Sequence, residues 1–245
     1  MDDPIYLLLL DADRVGDTLF VKDLAERLTG WGADGPARIL LHGSGPQTEQ
    51  LLESEARFLD RDEAGVMAAE TDEDRRLIER SVREINRRLV SLFTFQQVSA
   101  VSAHGTERGL LRVGEDGVLQ VGAIDWITDL AVQSVTPVVS GLASTGVEKP
   151  AREIPLARAA AELAEALAPP VRVVAFTEES GYGVRENGSW LESAPIPELD
   201  AETASPVYPL IEALLAEGVR PLLTSPRGLA AEGGVRGTVI EPAAS

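Results

Sequence analysis

The stretch ILLHGSGPQTEQLLE, residues 39–53, joins an apolar segment to a helical pattern through a short glycine-rich turn. The segment ARILL (37–41) predicts a buried strand, and a helix is predicted to begin at Pro46. Between them, such a turn can direct backbone N–H groups and a helix N-terminus at an anion. It is also typical of any tight strand-to-helix connection, so the rest of the sequence must decide whether the turn binds a ligand.

The composition is that of an ordinary globular protein. The 245 residues suffice for one large α/β domain or for two lobes that share a sheet, and 44% of them are hydrophobic. No apolar run approaches the ~20 residues that a membrane span requires. The N-terminal segment MDDPIYLLLLDADR is acidic where a secretory signal would be basic. We therefore expect a cytoplasmic protein that does not associate with membranes.

Cysteine is absent and only His42 and His104 carry imidazole, so we expect neither a disulfide nor a protein-bound metal ion. The 40 acidic residues outnumber the 22 basic ones, giving a net charge of −18. Nucleic-acid binding is therefore not expected, because it requires a concentrated basic surface. Lys22 and Lys149 are the only lysines. An acidic surface with so little lysine indicates a halophilic protein, adapted to a salt-rich cytoplasm.

Strand and helix patterns alternate along the chain, which indicates parallel βαβ units and a helix-covered sheet. The predicted strands are residues 5–10, 37–41, 98–104, 136–143, 171–177, 219–225 and 237–241, with a hairpin over 110–127. The predicted helices are residues 18–28, 46–59, 71–93, 154–167 and 207–219. Residues 39–41 and 173–176 are expected on central strands.

This order of elements resembles the amino-acid kinase family, and within it the N-acetylglutamate kinases. HGSGPQ (42–47) is similar to the family's His-Gly-Gly-Gly-Pro turn, residues 71–93 to its long central helix, and residues 173–199 to the strand, loop and hairpin of its nucleotide half. The resemblance implies a three-layer αβα sandwich around a mainly parallel sheet. It also implies an acyl-amino-acid-binding lobe at 1–150 and a nucleotide-binding-like lobe at 151–245 on one continuous sheet, with a single domain as the alternative.

The motifs that hold phosphate in the family are not kept. Leu10 lies near the position of the first phosphate-binding lysine and Val207 near that of the second, while Ala157 replaces the aspartate that organises both. Ala69 replaces the arginine that binds the substrate carboxylate. Because phosphoryl transfer depends on positive groups around the phosphate oxygens, these losses predict severely reduced turnover.

The resemblance nevertheless implies two binding segments. The turn of Gly43, Ser44 and Gly45 is the candidate substrate-binding segment, for an N-acyl amino acid or a related carboxylate. The loop containing Thr177, Ser180 and Gly181 is the candidate nucleotide-binding segment, for MgATP.

Charge complicates both segments. Asp13, Glu178 and Glu179 would repel a triphosphate unless Mg²⁺ lay between them. Three arginines, Arg14, Arg152 and Arg158, are candidate substitutes for the lost lysines, because arginine can bind phosphate with two hydrogen bonds.

Outside these segments, the pattern favours structural roles. His42 is interpreted as a packing residue at a strand end and His104 as a polar strand end. The charged face of the helix at 71–93 is interpreted as a solvated surface, with an edge of a homodimer as the alternative.

Two functions remain open on this basis. The first is an acetylglutamate-kinase-like phosphotransferase of arginine biosynthesis, which would phosphorylate an N-acyl amino acid carboxylate with MgATP. The second is a non-catalytic relative with the same fold, either a small-molecule sensor or a regulatory or structural subunit.

The charge balance yields a first prediction. If the acidic surface is an adaptation to salt, raising KCl toward molar concentration should raise the thermal unfolding midpoint, because screening weakens the self-repulsion of a chain with a charge of −18. Differential scanning calorimetry over a KCl series measures this. An unchanged midpoint would favour an acidic protein of ordinary cytoplasm.

Overall fold

A computed structural model describes residues 4–32, 35–168, 170–182, 190–196, 207–231 and 234–243. In chain order its elements are β1 (Ile5–Leu10), α1 (Ala12–Gly16), α2 (Thr18–Thr29), β2 (Arg38–His42), α3 (Pro46–Ser54), α4 (Asp72–Phe95), β3 (Ala100–His104), a 3₁₀ turn (Glu107–Gly109), β4 (Leu111–Val113), β5 (Leu119–Val121), α5 (Asp125–Val132), β6 (Thr136–Ser140), β7 (Leu142–Ala143), β8 (Arg152–Glu153), α6 (Leu156–Ala166), β9 (Val171–Phe176), β10 (Ser193–Pro195), α7 (Tyr208–Ala216), β11 (Leu222–Thr224), α8 (Pro226–Leu229) and β12 (Thr238–Glu241).

The central sheet has eight strands in the order β10-β12-β11-β9-β1-β2-β6-β3. Every pairing in it is parallel except that of β11 with β12. Strand β1 lies at the centre, with Leu8 opposite Leu40 of β2 on one side and Val174 of β9 on the other. The predicted mainly parallel sheet is confirmed, and residues 39–41 and 173–176 lie on the strands that flank β1.

Helices cover both faces of this sheet. Side chains of β1 alternate between two cores: Ile5, Leu7 and Leu9 pack with residues of α5 and α6, whereas Tyr6, Leu8 and Leu10 pack with residues of α2 and α4. All six residues of β1 are buried, as expected for a parallel strand with helices on either side. The predicted three-layer αβα sandwich is confirmed.

The long helix α4 forms where the sequence predicts it. Its N-terminus is a capping box, in which the Thr71 hydroxyl accepts from the Asp74 backbone N–H and the Asp74 carboxylate accepts from the Thr71 backbone N–H. Its buried stripe includes Ile78, Val82 and Leu89, as the helical spacing predicts.

Three differences from the sequence predictions go beyond a few residues at the end of an element. The helix predicted at 46–59 ends at Ser54, because Ala56 takes a positive φ of 57° and the Arg57 N–H bonds back to the Leu52 carbonyl in a Schellman-type end. The predicted strand at 136–143 breaks after Ser140 into β6 and β7.

The third difference is a helix that sequence reasoning missed. The hairpin predicted over 110–127 is confined to β4 and β5, and Asp125 begins helix α5. The apolar residues of IDWI suggested a strand, but Ile127 and Ala131, four positions apart, are the buried residues of a helix.

Both predicted lobes contribute to the central sheet, since β1, β2, β3 and β6 precede residue 150 and β9 to β12 follow it. A division into domains at residue 150 stays a prediction. In the part of the chain described here, no helix is long and apolar enough to span a membrane.

The capping box generates a prediction about stability. Replacing Thr71 with Ala should lower the free energy of unfolding by about 1 kcal/mol, because the backbone N–H of Asp74 loses its acceptor. Thr94→Ala, at an exposed position in the last turn of the same helix, is the matched control and should cost less. Chemical denaturation of both variants gives the comparison. Equal losses would show that the cap contributes nothing specific.

Candidate functional site

The carboxyl ends of the parallel strands β1, β2, β6 and β9 meet at one edge of the sheet, which is where open α/β sheets place their ligand sites. A cleft of about 540 Å³ opens there. Its wall is formed by the residues after β1, the glycine turn after β2, the segment 61–66, the segment 153–157 and the first turns of α7. The glycine turn at residues 43–45 thus contributes one wall of this cleft.

The turn itself is closely packed. Gly45 is the N-cap of α3, and a Cβ there would lie 2.8 Å from a side-chain carbon of Val15, so the residue must be small. A Cβ on Gly43 would lie 2.9 Å from Oε1 of Glu153. Of the three predicted substrate-binding residues, Gly43 and Ser44 line the cleft, whereas Gly45 packs against α1.

Glu153, at the end of β8, reaches the turn from a distant part of the chain. Its Oε1 accepts a hydrogen bond of 2.5 Å from the backbone N–H of Ser44, and the residue is 9% exposed. Burial raises the pKa of the Glu153 carboxyl group, although the hydrogen bonds from Ser44 and the charge of Arg61 act in the opposite direction. Oε2 is shielded from solvent and has no hydrogen-bond partner among the described residues.

Arg61 approaches the same turn from the other side. It belongs to a small hairpin, residues 60–68, in which Arg61 bridges Met67 and Gly65 takes a positive φ of 78°. Its Nη1 donates to Oγ of Ser44 at 2.9 Å and to the carbonyl of Gly65 at 2.7 Å, while Nε donates to Glu49 at 2.8 Å. Neither Arg61 nor Glu153 is among the residues predicted from the sequence. The turn-forming residues Asp-Glu-Ala-Gly at 62–65 are a signal for the hairpin, but not for the contact that Arg61 makes with Ser44.

The positions that the resemblance aligns with the family's binding motifs, at Leu10, Val207, Ala157 and Ala69, carry no basic side chain. Leu10 is fully buried in the core on the α2 and α4 face, and Val207 is 1% exposed in a separate apolar cluster beneath α7. Ala157 is buried and contributes to the wall of the cleft. Ala69 lies at a second, adjoining cleft of about 490 Å³.

The charges that line the main cleft are mostly negative. Among the residues that the structure describes, Arg61 is the one basic residue of the lining. Six carboxylate residues share that lining: Asp11, Asp13, Glu49, Asp62, Glu63 and Glu153. Burial also raises the pKa of the Asp11 carboxyl group, which accepts a hydrogen bond from the Arg14 backbone. The cleft thus carries the charge opposite to that of a phosphate site.

None of the three candidate arginines lines the main cleft. The guanidinium of Arg14 stacks on Phe20, 4.8 Å from the ring centroid. Arg158 forms ion pairs with Glu162 at 3.3 Å and Glu217 at 3.8 Å. Arg152 is exposed and lines the adjoining cleft, as do Lys149 and Arg75.

The candidate nucleotide-binding residues contact other parts of the protein. The Thr177 N–H bonds to the Thr224 carbonyl at 2.8 Å, and the hydroxyl groups of Ser180 and Ser225 are 2.8 Å apart. A Cβ on Gly181 would lie 2.8 Å from the Trp190 ring, so the glycine permits close packing at that point. The predicted loop and hairpin also include residues 183–189 and 197–199, which lie outside the described part of the chain.

Behind the turn lies a buried network of polar side chains. Asn86 Nδ2 donates to the Val138 carbonyl at 2.7 Å and also lies 3.0 Å from His42 Nε2, while its Oδ1 accepts from Ser102 at 2.6 Å. Because Asn86 Nδ2 is only a donor, the network assigns Nε2 of His42 as the acceptor and Nδ1 as the donor to the Gly43 carbonyl. His42 is therefore a neutral residue that anchors the turn from behind.

His104 continues this network at the next strand ends. Its Nδ1 lies 3.3 Å from the Ser140 hydroxyl and its Nε2 lies 3.5 Å from that of Ser102. Burial lowers the pKa of His104, and the charge of Arg83 acts in the same direction. Both histidines therefore lie at strand ends within hydrogen-bonding distance of other polar side chains.

Comparison with solved structures identifies the fold. The first is smu.665 from Streptococcus mutans UA159, with a TM-score of 0.63, 17% sequence identity and coverage of 96% of this chain and 98% of that one. An isopentenyl phosphate kinase matches with a TM-score of 0.60, 18% identity and coverage of 96% and 100%. These likenesses show that the chain has the amino-acid kinase fold.

A third structure is the N-acetylglutamate synthase from Neisseria gonorrhoeae, complexed with coenzyme A and N-acetylglutamate. It matches with a TM-score of 0.65 and 17% identity over 99% of this chain, which spans 60% of the synthase. No protein-family model and no curated protein matches the sequence.

The buried His42 generates a prediction about pH. Burial lowers its pKa to about 4, with a smaller contribution from His104, whereas an unfolded histidine titrates near its model value of 6.5. Below pH 6.5 the unfolded chain therefore binds a proton that the folded chain does not. The resulting stabilisation is complete above pH 6.5 and is lost as the pH falls toward 4, by about 3 kcal/mol.

Urea denaturation at pH values between 4 and 7.5 measures this loss. The variant His42→Gln, which has no titrating group there, should show a correspondingly smaller fall in the free energy of unfolding. His104→Gln is the comparison for the second histidine. A His42→Gln profile parallel to that of the wild type would contradict the buried neutral imidazole.

Proposed function

We propose that this protein binds a small polar molecule in the cleft beside the glycine turn and does not transfer phosphate at an enzyme's rate. One observation carries the proposal: the cleft at the kinase-like sheet edge is lined by six carboxylate residues and, among the described residues, by a single basic side chain, Arg61. The substitutions that the resemblance places at Leu10, Val207 and Ala157 agree with this lining, because each is a buried apolar residue.

The negative charge of the cleft opposes phosphoryl transfer. In phosphoryl transfer the protein mainly positions the reactants and stabilises the negative charge on the phosphate oxygens. Loss of a single stabilising donor typically reduces a rate by about 10²–10³. A triphosphate in this cleft would meet Arg61, already bonded to Ser44 and Glu49, and otherwise carboxylates. Mg²⁺ alone would have to offset that repulsion.

Binding without transfer is supported by the cleft itself. Its volume of about 540 Å³ lies within the ~300–1,000 Å³ typical of small-molecule sites. The N-acetylglutamate synthase with this fold binds N-acetylglutamate. An N-acyl amino acid or a related carboxylate is therefore the first ligand class to test, and a sensor or regulatory subunit, in the cytoplasm and as a homodimer, is the form of function that we propose.

The alternative is an active phosphotransferase related to the acetylglutamate kinases of arginine biosynthesis. One feature favours it: Arg75, Lys149 and Arg152 line the adjoining cleft, which shares Glu153 and Asp62 with the main one. If a phosphate bound there with Mg²⁺, these side chains would replace the lost lysines.

The decisive experiment traps an acyl phosphate. Purified protein is incubated with MgATP, N-acetyl-L-glutamate and hydroxylamine at low and high KCl, and the hydroxamate is measured. We expect no product above the protein-free control, because the described lining of the main cleft contains no lysine. Turnover near the ~10 s⁻¹ typical of enzymes would contradict the proposal. Arg152→Ala and Lys149→Ala would then test the adjoining cleft, with Arg14→Ala and Arg158→Ala as comparisons.

Isothermal titration with N-acetyl-L-glutamate and with MgATP, separately, tests binding. Ala64→Trp is the matched variant, because Ala64 is an exposed residue on the cleft wall and a bulky ring there would fill the space. Binding that Ala64→Trp abolishes would place the ligand in the cleft. Binding that it leaves unchanged would place the ligand elsewhere.

A further inference from the structure

The glycine turn has the features of an anion site. It leads into the nine-residue helix α3, whose N-terminus carries a partial positive charge, and its N-cap residue Gly45 supplies no side-chain acceptor. The backbone N–H of Ser44 lies immediately before this N-cap residue. Its acceptor is already present, and it is the carboxylate of Glu153.

Several features fit the turn to this carboxylate. Glu153 lies 109 residues further along the chain, and it is delivered by the short β7–β8 pair, in which Leu142 is opposite Glu153. Gly43 leaves the space that Oε1 occupies, since a Cβ at that position would approach it to 2.9 Å. Arg61 bonds to the Ser44 hydroxyl and its charge acts on Glu153.

We propose that Glu153 is a built-in occupant of the anion position on the glycine turn, and that it excludes phosphate and carboxylate groups of ligands from that position. The inference rests on the proposed function and specifies it further. A ligand that enters the cleft must place any carboxylate of its own away from the Ser44 N–H. Glu153 is then a specificity-determining residue of the cleft.

The reason for exclusion is both steric and electrostatic. Oε1 occupies the hydrogen-bonding position of the Ser44 N–H at 2.5 Å, so a ligand oxygen would have to displace it. A ligand anion placed beside it would also bring two negative charges together at a buried site, where their repulsion is strong. An anion therefore binds the turn only when the Glu153 carboxylate is removed.

Chemical rescue tests this directly. In Glu153→Ala the Ser44 N–H loses its acceptor and a space remains, which acetate or inorganic phosphate can fill. The thermal midpoint of Glu153→Ala should fall in KCl and should recover as acetate or phosphate replaces chloride at constant ionic strength. Binding to the folded state makes the recovery grow with the logarithm of the anion concentration.

Three proteins serve as controls. Acetate and phosphate stabilise proteins generally, so the readout is the rise in thermal midpoint of each variant compared with the rise in the wild type. Glu165→Ala removes an exposed carboxylate from α6 and should gain no more than wild type. Glu153→Gln fills the space with a neutral group and should also gain no more. Equal gains in all four proteins, or no extra gain in Glu153→Ala, would overturn the proposal.

A measurement on the wild type does not depend on whether Glu153→Ala folds. In ¹H–¹⁵N spectra the Ser44 amide should be unaffected by phosphate and by acetate, whereas a direct shift of that amide on titration would overturn the proposal. The acyl-phosphate assay is separate. Detected transfer contradicts the proposed function, whereas failure of rescue contradicts only the role of Glu153.

Discussion

The parallel pairing of β1 with β2 and β9 is the constraint on which the rest of the structure depends. The six residues of β1 are buried on both faces of the sheet, so α2 and α4 must cover one face and α5 and α6 the other. Because all three strands run in the same direction, their carboxyl ends meet at one edge. The backbone beyond each strand, at Asp11, Gly43 and Thr177, is thereby brought to that edge whatever side chains it carries.

The chemistry at the edge depends instead on segments that lie far apart in the chain. Ser44 is contacted on its backbone by Glu153, 109 residues away, and on its hydroxyl by Arg61, 17 residues away. His42 is held from behind by Asn86 of α4. Side chains thus hold the turn on three sides, and the Glu153 carboxylate already accepts the hydrogen bond of the Ser44 N–H. The Glu153 carboxylate therefore places a negative group in the wall of the cleft, where a bound phosphate would need cations.

The difference between local elements and contacts of distant segments explains what the sequence could and could not predict. Local patterns identified β1, the capping box of α4 and the glycine turn, because short apolar runs, helix caps and tight turns are encoded within a few residues. The pattern misled where it was short, as at α5. Glu153 and Arg61 could not be found this way, since nothing in a lone acidic or basic residue indicates a partner that only the topology of the sheet brings near.

The positions that the resemblance aligns with phosphate-binding lysines lie in the apolar core. Leu10 fills space between β1 and the helices α2 and α4, and Val207 packs with Ile211 and Ile240. A lysine at either position would place an ammonium group among apolar side chains, which is costly unless it is paired. The apolar side chains at these positions stabilise the fold, and the cleft beside them is lined mostly by carboxylates. This arrangement agrees with the proposed binding function, because phosphoryl transfer needs cations around the phosphate oxygens and the described lining of the cleft offers only Arg61.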